Sequence, residues 1–585
     1  MARPPPGRHT ETHGGPPTTR RRDADDRGRP WARAAPEQTV ARTAERATGV
    51  VLLTLASGQF VMTLDSSVMN VSIAQVAQDV GTTVTGIQTA ITLYTLVMAT
   101  LMIPGGKVGG LIGRRRAFVL GCIIYACGSF TTALAPNLGV LILGWSVLEG
   151  IGAALIMPAI VALVASNFAA PDRPRAYGLV ASAGAIAVAA GPLVGGLVTT
   201  YWTWRYVFVG EVVIVAVILL LTRRIADAPL GPRFRLDLVG AALSAVGLGI
   251  AVFGVLRSGE WGWVQTRPGG PSWLGLSPTI WLILAGMLVV RLFFAWEHRV
   301  VAAGKEPLVR PEMLRNAQLN GGLTMFFFQF MLQAGLFFTV PLYLSVALGL
   351  SALDTGIRLL PLSVTLLLAA VGIPRFFPRA SPRTVVRWGV AALLAGIVSL
   401  LAGLEVGAGP EVVTVPLALA GLGVGALASQ LGAVTVSAVP DEESGDVGGL
   451  QNTLTNLGAS LGTALAGSVL IAGLTATFLT GVADNPAVRA EIAATAQVEL
   501  AGGVPFISDA QVEEALTSAG LPPEEIAALT EENEAARITG LRASLAVLAL
   551  VALTALFFAR LIPTAPVGGP AAPRKDSDAP SAQAP

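Results

Sequence analysis

Apolar runs of about twenty residues recur along most of this 585-residue chain, and they decide what it can fold into. A helix needs about twenty apolar residues to cross the hydrocarbon core of a bilayer, and a helix satisfies its own backbone hydrogen bonds there. We predict all-α membrane architecture. Fourteen predicted spans begin near Val50, Ile87, Ala117, Leu138, Ala176, Val207, Leu238, Ile280, Leu323, Ile357, Trp388, Val412, Leu450 and Leu541.

The composition argues against several other classes of protein. Hydrophobic residues make up 53% of the chain and charged residues only 13%, far below the charged fraction of soluble domains. A net charge of +2, with basic residues in short scattered clusters, argues against a nucleic-acid partner. The two cysteines, Cys122 and Cys127, share one apolar run, so we expect neither a disulfide framework nor a cysteine zinc site.

Basic residues indicate the orientation, because cytoplasmic loops retain Lys and Arg. Most of the 39 Lys and Arg fall in cytoplasmic segments if the N-terminus is inside. We therefore predict that both termini are cytoplasmic, in a bacterial cell membrane. Residues 1–49 are rich in Pro, Arg and Gly and are predicted to form a disordered tail, as are residues 563–585.

The spans fall into groups of six, two and six, which we assign to residues 50–222, 223–316 and 317–562. The connection 480–539 within the last group is unusually long and is predicted to lie outside the cell. It carries 11 Asp or Glu against two Arg. Helix-like apolar spacing predicts a small helical cap over the outer mouth, but a solvated acidic linker is an equally good reading; the apolar residues are Val512, Leu516, Ile526 and Leu529.

Three acidic residues stand inside predicted spans: Asp65, Glu149 and Glu211. Such a residue costs about 2.5 to 3.5 kcal/mol on insertion scales, so it is a functional candidate that faces the bundle interior. Burial favours the neutral form of a carboxylic acid, which lets it bind a proton in one conformation and release it in another. We predict proton-coupling roles for all three; the alternative is that each simply hydrogen-bonds a neighbouring helix.

Two glycine-rich segments indicate close helix packing and a tight turn. The first is GPLVGG, with Gly191, Pro192, Gly195 and Gly196, where small residues let backbones approach and proline bends the helix. The second, 105–116, is predicted to be a short basic turn between the second and third spans, either a cytoplasmic gating loop or a plain positive-inside anchor. Its predicted gating residues are Gly106, Gly110, Gly113, Arg114 and Arg115.

At these residues the chain resembles the major facilitator superfamily, and within it the fourteen-helix drug:proton antiporter family of the EmrB/QacA type. The resemblance covers roughly residues 50–561. GPLVGG resembles the antiporter motif of the fifth helix, and LDSSVMNVSI from Leu64 resembles the acidic motif of the first. WTWRYVFVGEV from Trp202 resembles the turn into the sixth helix, and NTLTNLGASLGTA from Asn452 resembles a segment of the thirteenth.

The resemblance implies the major facilitator fold, with two six-helix bundles, two extra helices between them, and rocking about a central site. It implies proton-coupled efflux of hydrophobic or cationic small molecules across the cytoplasmic membrane by a monomer. The expected partners are the small-molecule substrate and the lipid bilayer. Protons are the expected coupling ion, and no cofactor or metal is implied.

The chain departs from the family pattern at three places. Gly110 stands where the loop after the second helix usually has an acid. Ser146 and Glu149 stand where the fourth helix usually has arginine and glutamine, and Glu211 replaces an asparagine of the sixth helix. One cation is lost and two acids are gained, so we expect an electronegative cavity that favours cationic or amphipathic substrates, with Glu149 sharing proton coupling with Asp65.

Other functions remain as alternatives. A nutrient or lipid transporter of the same fold is one, because fold does not determine substrate. A membrane sensor that uses the 480–539 connection to bind a ligand is another. An intramembrane hydrolase is disfavoured because the chain has few residues suited to such catalysis. Its histidines are His9, His13 and His298, and the zinc-binding motif HExxH is absent. We predict that the chain is not an enzyme.

Overall fold

The computed structural model describes residues 35–168, 173–225, 227, 237–267, 270–377, 379–439, 444–500 and 502–565. The chain divides into two compact units, Met1–Ala47 and Thr48–Pro585. All of the packing described below lies within the second unit. In the described residues the secondary structure is helical, apart from one isolated antiparallel bridge between Trp273 and Leu276.

Seventeen α-helices are described, and two π-helical segments interrupt them, at Ile142–Glu149 and Tyr343–Ala347. The α-helices are α1 (Ala35–Asp79), α2 (Val84–Ile112), α3 (Arg114–Ala133), α4 (Leu138–Leu141), α5 (Gly150–Asn167), α6 (Arg173–Tyr201), α7 (Arg205–Leu221), α8 (Leu238–Trp261), α9 (Pro278–Ala302), α10 (Ala317–Leu342), α11 (Ala352–Phe376), α12 (Pro382–Gly403), α13 (Thr414–Val436), α14 (Ser444–Asp484), α15 (Ala490–Glu499), α16 (Asp509–Ser518) and α17 (Pro523–Phe558).

The described helices contain 13 spans long and apolar enough to cross a membrane, or up to 14 if the two bent parts of α6 form one span. Helix α4, the first π-helical segment and α5 together make a single span, Leu138–Val164. Every predicted starting residue lies in one of the α-helices, except Val412, which lies in the short 3-10 turn before α13. The predicted all-α membrane fold is confirmed.

The helices pack in two groups. In the first group α3 contacts α5 and α7, and α2 contacts α5; in the second α10 contacts α14, α13 contacts α11 and α12, and α17 contacts α12 and α14. The groups meet along α6 with α11 and along α2 with α14. The linker helices α8 and α9 pack on each other, and α8 also contacts α2 and α14.

The two predicted tails lie mostly outside the described residues, and α1 begins within the first of them. Residues 1–34 and 566–585 lie outside the described part of the chain, so most of both predicted tails lies there too. Helix α1 begins at Ala35, within the stretch 1–49 that the sequence predicts to be disordered. The residues from Ala35 onward include Ala, Glu, Gln and Arg, whose high helix propensity explains a helical start there.

One end of the helix array, here called the capped face, carries α15, α16 and the beginning of α17. The ends of α1, α3, α6, α8 and α10 reach the same face, because successive spans alternate in direction. In residues 485–522 and the helices beside them, six apolar residues are each less than 9% exposed: Val488, Ala493, Val504, Phe506, Val512 and Leu529. All of these except Val512 belong to the same hydrophobic cluster as the core of the helix bundles. The structure therefore forms the helical cap, and not the solvated linker. Helix α17 begins at Pro523, well before the predicted start at Leu541.

A buried arginine fastens the cap to α17. The Arg537 guanidinium is 0% exposed; it donates to the Ile507 carbonyl oxygen at 2.9 Å and to Asp509 Oδ1 at 2.5 Å. At the rim of the cap, Arg489 donates to both carboxylate oxygens of Glu525, at 2.5 and 2.9 Å. Charge-assisted hydrogen bonds in a partly buried place are stronger than neutral ones, so Arg537 orders the segment that precedes α16.

We expect Arg537→Met to loosen the cap while leaving the helix bundles folded. The loss of two charge-assisted hydrogen bonds should destabilise residues 502–518 locally by on the order of 2 kcal/mol. Amide hydrogen exchange in that segment should then be about 30-fold faster. Arg542→Met, at an exposed position on the same helix, is the matched control and should leave exchange unchanged. Equal protection in the two variants would contradict the anchoring role of Arg537.

Candidate functional site

Three acidic side chains from separate parts of the first helix group come together in its interior. Asp65 lies on α1, Glu149 ends the first π-helical segment, and Glu211 lies on α7. One carboxylate oxygen from each lies within 4.8 Å of the other two. The three residues are 1%, 0% and 1% exposed. The residues predicted for proton coupling thus form one buried cluster, the carboxyl cluster, sealed from bulk water in this conformation.

Asp65 is held by a tryptophan. The Trp145 Nε1–H lies 2.9 Å from Oδ1 and 3.0 Å from Oδ2 of Asp65, so one donor is shared by both oxygens. The Tyr94 ring stacks on the Trp145 ring, with centroids 5.2 Å apart and planes 9° from parallel. The indole and the phenol ring form an apolar wall on that side of the carboxyl. Trp145 therefore orients Asp65 without supplying a charge.

The two glutamates are held by hydroxyl groups of α3. Glu211 Oε2 accepts hydrogen bonds from the Tyr125 hydroxyl at 3.2 Å and from Ser129 Oγ at 3.1 Å. Glu149 Oε1 accepts one from Thr132 Oγ1 at 3.3 Å. Among the described residues, Glu149 Oε2 and Glu211 Oε1 are buried and have no hydrogen-bond partner. Each of these two oxygens is a place where a carboxyl proton can be held.

Among the residues that the structure describes, the carboxyl cluster has no basic partner. None of the ion pairs between described residues includes Asp65, Glu149 or Glu211. Three unpaired negative charges in a dry interior would be very unfavourable, so the cluster requires positive charge from protons or another cation. Protons can neutralise the carboxyls where they lie, without the coordination shell that Ca²⁺ or Mg²⁺ requires.

The π-helical segment Ile142–Glu149 presents both Trp145 and Glu149 to the bundle interior. Such segments are rare and occur frequently at functional sites. Glycines let the segment approach α3 closely: a Cβ on Gly128 would lie 2.6 Å from Glu149 Cγ, and one on Gly144 would lie 2.6 Å from Thr132 Oγ1. Larger residues at these glycines would push the two helices apart and separate the hydroxyls from the carboxyls.

Sequence reasoning did not identify the side chains that hold the carboxyls. A signal was present, because Tyr125 and Ser129, like Trp145 and Glu149, stand four residues apart within apolar runs and so share a helix face. Periodicity could not show which helix each face meets. The residues missed in this way are Tyr94, Tyr125, Ser129, Thr132 and Trp145.

The GPLVGG motif lies against the helix that carries Asp65. A Cβ on Gly195 would lie 2.9 Å from Val68 Cγ1 and 3.0 Å from Val68 Cα, and one on Gly191 would overlap Ser67. Ser67 and Val68 are two and three residues from Asp65. The close approach of α6 and α1 thus depends on glycine, and this contact lies within one helix turn of Asp65.

The other side of the same motif contacts the second helix group. A Cβ on Gly196 would lie 2.5 Å from the Ala352 carbonyl oxygen and 2.9 Å from Leu353 Cα, at the start of α11. On the α11 side of the same contact, a Cβ on Gly356 would overlap the Pro192 carbonyl. The four predicted motif residues therefore lie between α1 on one side and α11 on the other.

The predicted gating turn 105–116 is mostly helical. Gly106 and Gly110 lie inside α2, which continues to Ile112, and the turn is confined to Gly113, whose φ of 103° favours glycine. The prediction of a glycine-rich turn over the whole segment was wrong. A Cβ on Gly105 would overlap the Ala154 carbonyl, so a glycine here permits close helix packing and does not mark a turn.

Asp227, which the sequence did not single out, supplies a carboxylate to this turn. Its Oδ1 accepts a hydrogen bond from the Arg115 backbone N–H at 3.2 Å, at the start of α3. Arg114 Nη1 donates to the Ala162 carbonyl oxygen on α5 at 3.1 Å. An acid from the segment after α7 therefore sits beside the turn whose usual family acid is replaced by Gly110.

The turn into α7 is tied to the end of α1 at the capped face. Asp79 Oδ2 accepts from Trp204 Nε1 at 2.9 Å and from Arg205 Nη1 at 3.1 Å. Arg205 also donates to the Ala135 carbonyl oxygen at 2.9 Å. These bonds hold together the ends of the helices that carry Asp65 and Glu211.

One motif of hydrolytic enzymes occurs by chance in α14. Residues 458–462 read GASLG, which matches the GxSxG pattern of nucleophile elbows. That chemistry needs a sharp strand-to-helix turn, whereas Ser460 is 0% exposed in the middle of a long helix. A Cβ on Gly462 would overlap the Met331 carbonyl of α10, so the glycines serve helix packing.

None of the three acids of the carboxyl cluster lines the cavity beneath the cap. A cavity of about 560 Å³ opens beneath the cap, and its lining includes Ala74 but none of the three acids. Ala74 follows Asp65 by nine residues on α1, which is about 13 Å along the axis. The three acids therefore offer no carboxylate to a molecule inside that cavity in this conformation.

Comparison with known proteins gives a consistent result. The family model described as Major Facilitator Superfamily matches residues 55–463. The chain is 30% identical to the puromycin resistance protein pur8 of Streptomyces alboniger, over 74% of this chain and 84% of that protein. It is 29% identical to the tetracenomycin C resistance and export protein of Streptomyces glaucescens, over 79% of this chain and 80% of that protein.

A solved structure shows the same fold at low sequence identity. A bacterial homolog of the human lysosomal transporter Spinster aligns with a TM-score of 0.54 at 14% identity, over 88% of this chain and 98% of that one. The family resemblance that the motifs predicted is thus confirmed by sequence and by fold.

Proposed function

The chain belongs to the Major Facilitator Superfamily, and from that membership we propose that it exports hydrophobic or cationic small molecules in exchange for protons. It is a multi-pass membrane transporter of small molecules, and not an enzyme. The proposal adds three points to this: the proton is the coupling ion, the substrate moves outward, and the residues of the carboxyl cluster bind the coupling protons.

The carboxyl cluster carries the proposal. Its three acids are buried, share no cation among the described residues, and leave two carboxylate oxygens without partners. An array of this kind can load protons when one side of the membrane gains access and release them when the other does. A structural role would instead leave each oxygen satisfied by a fixed donor.

The position of the cluster supports coupling to a change of shape. Asp65 is on the helix whose next turn contacts Gly191 and Gly195, and the same motif contacts α11 through Gly196. A change of charge at Asp65 is therefore close to α6, which lies between α1 and one of the two contacts of the groups. We propose that protonation biases this contact, so that the two groups rock with the proton load.

The energy available from protons is sufficient for export. Moving one charge across 100 mV supplies about 2.3 kcal/mol, which corresponds to an accumulation ratio of about 50 for a one-to-one exchange. With both termini in the cytoplasm, the capped face is on the outside, and inward proton flow would drive outward substrate flow. We propose a location in the bacterial cytoplasmic membrane and action as a monomer.

The names of the relatives support export over uptake of nutrients or lipids. The puromycin and tetracenomycin C proteins are named for resistance, and the latter also for export. A cephamycin export protein of Amycolatopsis lactamdurans is 27% identical over 72% of this chain and 85% of that protein. Self-made metabolites and foreign drugs are both consistent with such names.

Everted membrane vesicles test the proposal. We expect puromycin, tetracenomycin C or cephamycin, added to vesicles with an acidic interior, to dissipate the pH gradient and to accumulate inside. Vesicles carrying Asp65→Asn are the control for the coupling site, and vesicles without the protein are the control for leakage. Absence of proton-linked accumulation for all three compounds, or accumulation that persists after the gradient is collapsed, would contradict proton-coupled export.

A further inference from the structure

The cavity beneath the cap has the size of a small-molecule site. Its volume of about 560 Å³ lies within the usual range of ligand pockets, which is roughly 300 to 1,000 Å³. Its walls come from α1 and α2 of the first group, the π-helical segment after α10 and α14 of the second, linker helix α8 and the cap segment 502–508. Because both groups contribute walls, the shape of the cavity changes when they move.

Hydroxyl groups in the lining are poised to accept hydrogen bonds. Thr89, Ser345 and Ser468 each donate to a carbonyl oxygen of the helix turn before, at 2.9, 2.7 and 3.1 Å. A hydroxyl has one proton and two lone pairs, so these three retain acceptor capacity. A ligand with O–H or N–H donors matches this lining.

The described residues of the lining include no unpaired charge. Its charged residues are Arg257 and Glu260, and they form an ion pair one helix turn apart on α8. The Arg257 guanidinium also lies over two rings, 5.7 Å from the Phe253 centroid and 5.3 Å from that of Trp261. A permanent cation would find no free carboxylate here, and desolvating it would be unfavourable.

The cap forms the roof of the cavity. Val504 and Phe506 are 5% and 4% exposed, and the Val504 N–H donates to Thr475 Oγ1 on α14 at 2.9 Å. On the other side the Ile507 carbonyl accepts from Arg537 on α17. The roof is therefore tied to two helices of the second group, and a molecule inside the cavity is covered by it.

We propose that this cavity binds uncharged amphipathic molecules that carry hydroxyl or amide N–H donors, and that substrate leaves the protein from this site beneath the cap. The inference rests on the proposed export function and narrows its substrate class. Three observations support it. The lining hydroxyls retain acceptor capacity, Arg257 and Glu260 pair with each other, and none of the three acids lines the cavity.

Equilibrium dialysis of two labelled compounds against the purified full-length chain tests it. Chloramphenicol is uncharged and carries two hydroxyls and an amide N–H, whereas tetraphenylphosphonium is a permanent cation without donors. We expect saturable binding of chloramphenicol that tetraphenylphosphonium does not displace. Thr85→Trp and Thr89→Trp fill the cavity from α2 and should weaken binding about tenfold or more.

Thr495→Trp is the matched control, because Thr495 is exposed on α15 and does not line the cavity; it should bind as the unmodified chain does. The inference is overturned if chloramphenicol fails to bind, if tetraphenylphosphonium displaces it, or if both filling variants bind as tightly as the control. Proton-linked puromycin export together with any of these results would leave the proposed function standing. Intact chloramphenicol binding without proton-linked export of the relatives' compounds would overturn the proposed function instead.

Discussion

Asp65→Asn is expected to abolish proton-driven accumulation while leaving the protein folded. Asparagine keeps the shape of aspartate and can still accept from Trp145 Nε1–H, but it carries no titratable proton. A variant that binds no coupling proton cannot use a proton gradient equivalent to 100 mV to accumulate substrate. The accumulation ratio should therefore fall from about 50 toward unity. Flux into everted vesicles under an imposed pH gradient measures this loss.

Two further measurements make the result specific to coupling. Counterflow, in which labelled substrate exchanges for unlabelled substrate without a gradient, should persist in Asp65→Asn, because loading of substrate is separate from loading of protons. Asp484→Asn, at the exposed end of α14, is the control and should accumulate substrate normally. Full accumulation by Asp65→Asn would show that the carboxyl cluster does not carry the coupling proton.

Gly196→Ala is expected to shift the protein toward conformations in which the two helix groups separate at the capped face. The added methyl group would lie 2.5 Å from the Ala352 carbonyl oxygen, which is backbone and cannot rotate away. Overpacking of this kind costs about 1 to 3 kcal/mol, which changes an equilibrium between closed and open forms about 5- to 150-fold. The bundles themselves should stay intact, because α6 and α11 belong to different groups.

Cysteine labelling from the capped side measures that shift. A single cysteine at Thr85, in a background where Cys122 and Cys127 are serine, should react faster with an impermeant maleimide when Gly196 is alanine. Gly249→Ala on α8 is the matched control, because a Cβ there meets nothing within 4 Å. The substitution raises helix propensity as much as Gly196→Ala does. Equal labelling rates for the two glycine variants would show that the motif does not set the contact between the groups.

Much of the fold could be predicted because lipid imposes a simple rule. A run such as the one from Val207 has to be a helix, since nothing else satisfies its backbone in hydrocarbon. The rule is weaker at the edges of spans: it did not show that α2 continues through Gly106 and Gly110, or that α17 begins at Pro523. At both places the helix continues because it packs against neighbouring helices, α2 against α5 and α17 against α14 and α16.

The sequence by itself determined the class of protein, the positions of the spans and the identity of the three acids. It did so because a carboxyl in an apolar run is costly and therefore conspicuous. Only the tertiary structure brought Asp65, Glu149 and Glu211 together, selected Trp145 and the hydroxyls of α3 as their partners, and separated them from the cavity beneath the cap. The physical reason is that helix periodicity shows which residues share a face, whereas the neighbour of that face depends on the packing of helices far apart in the chain.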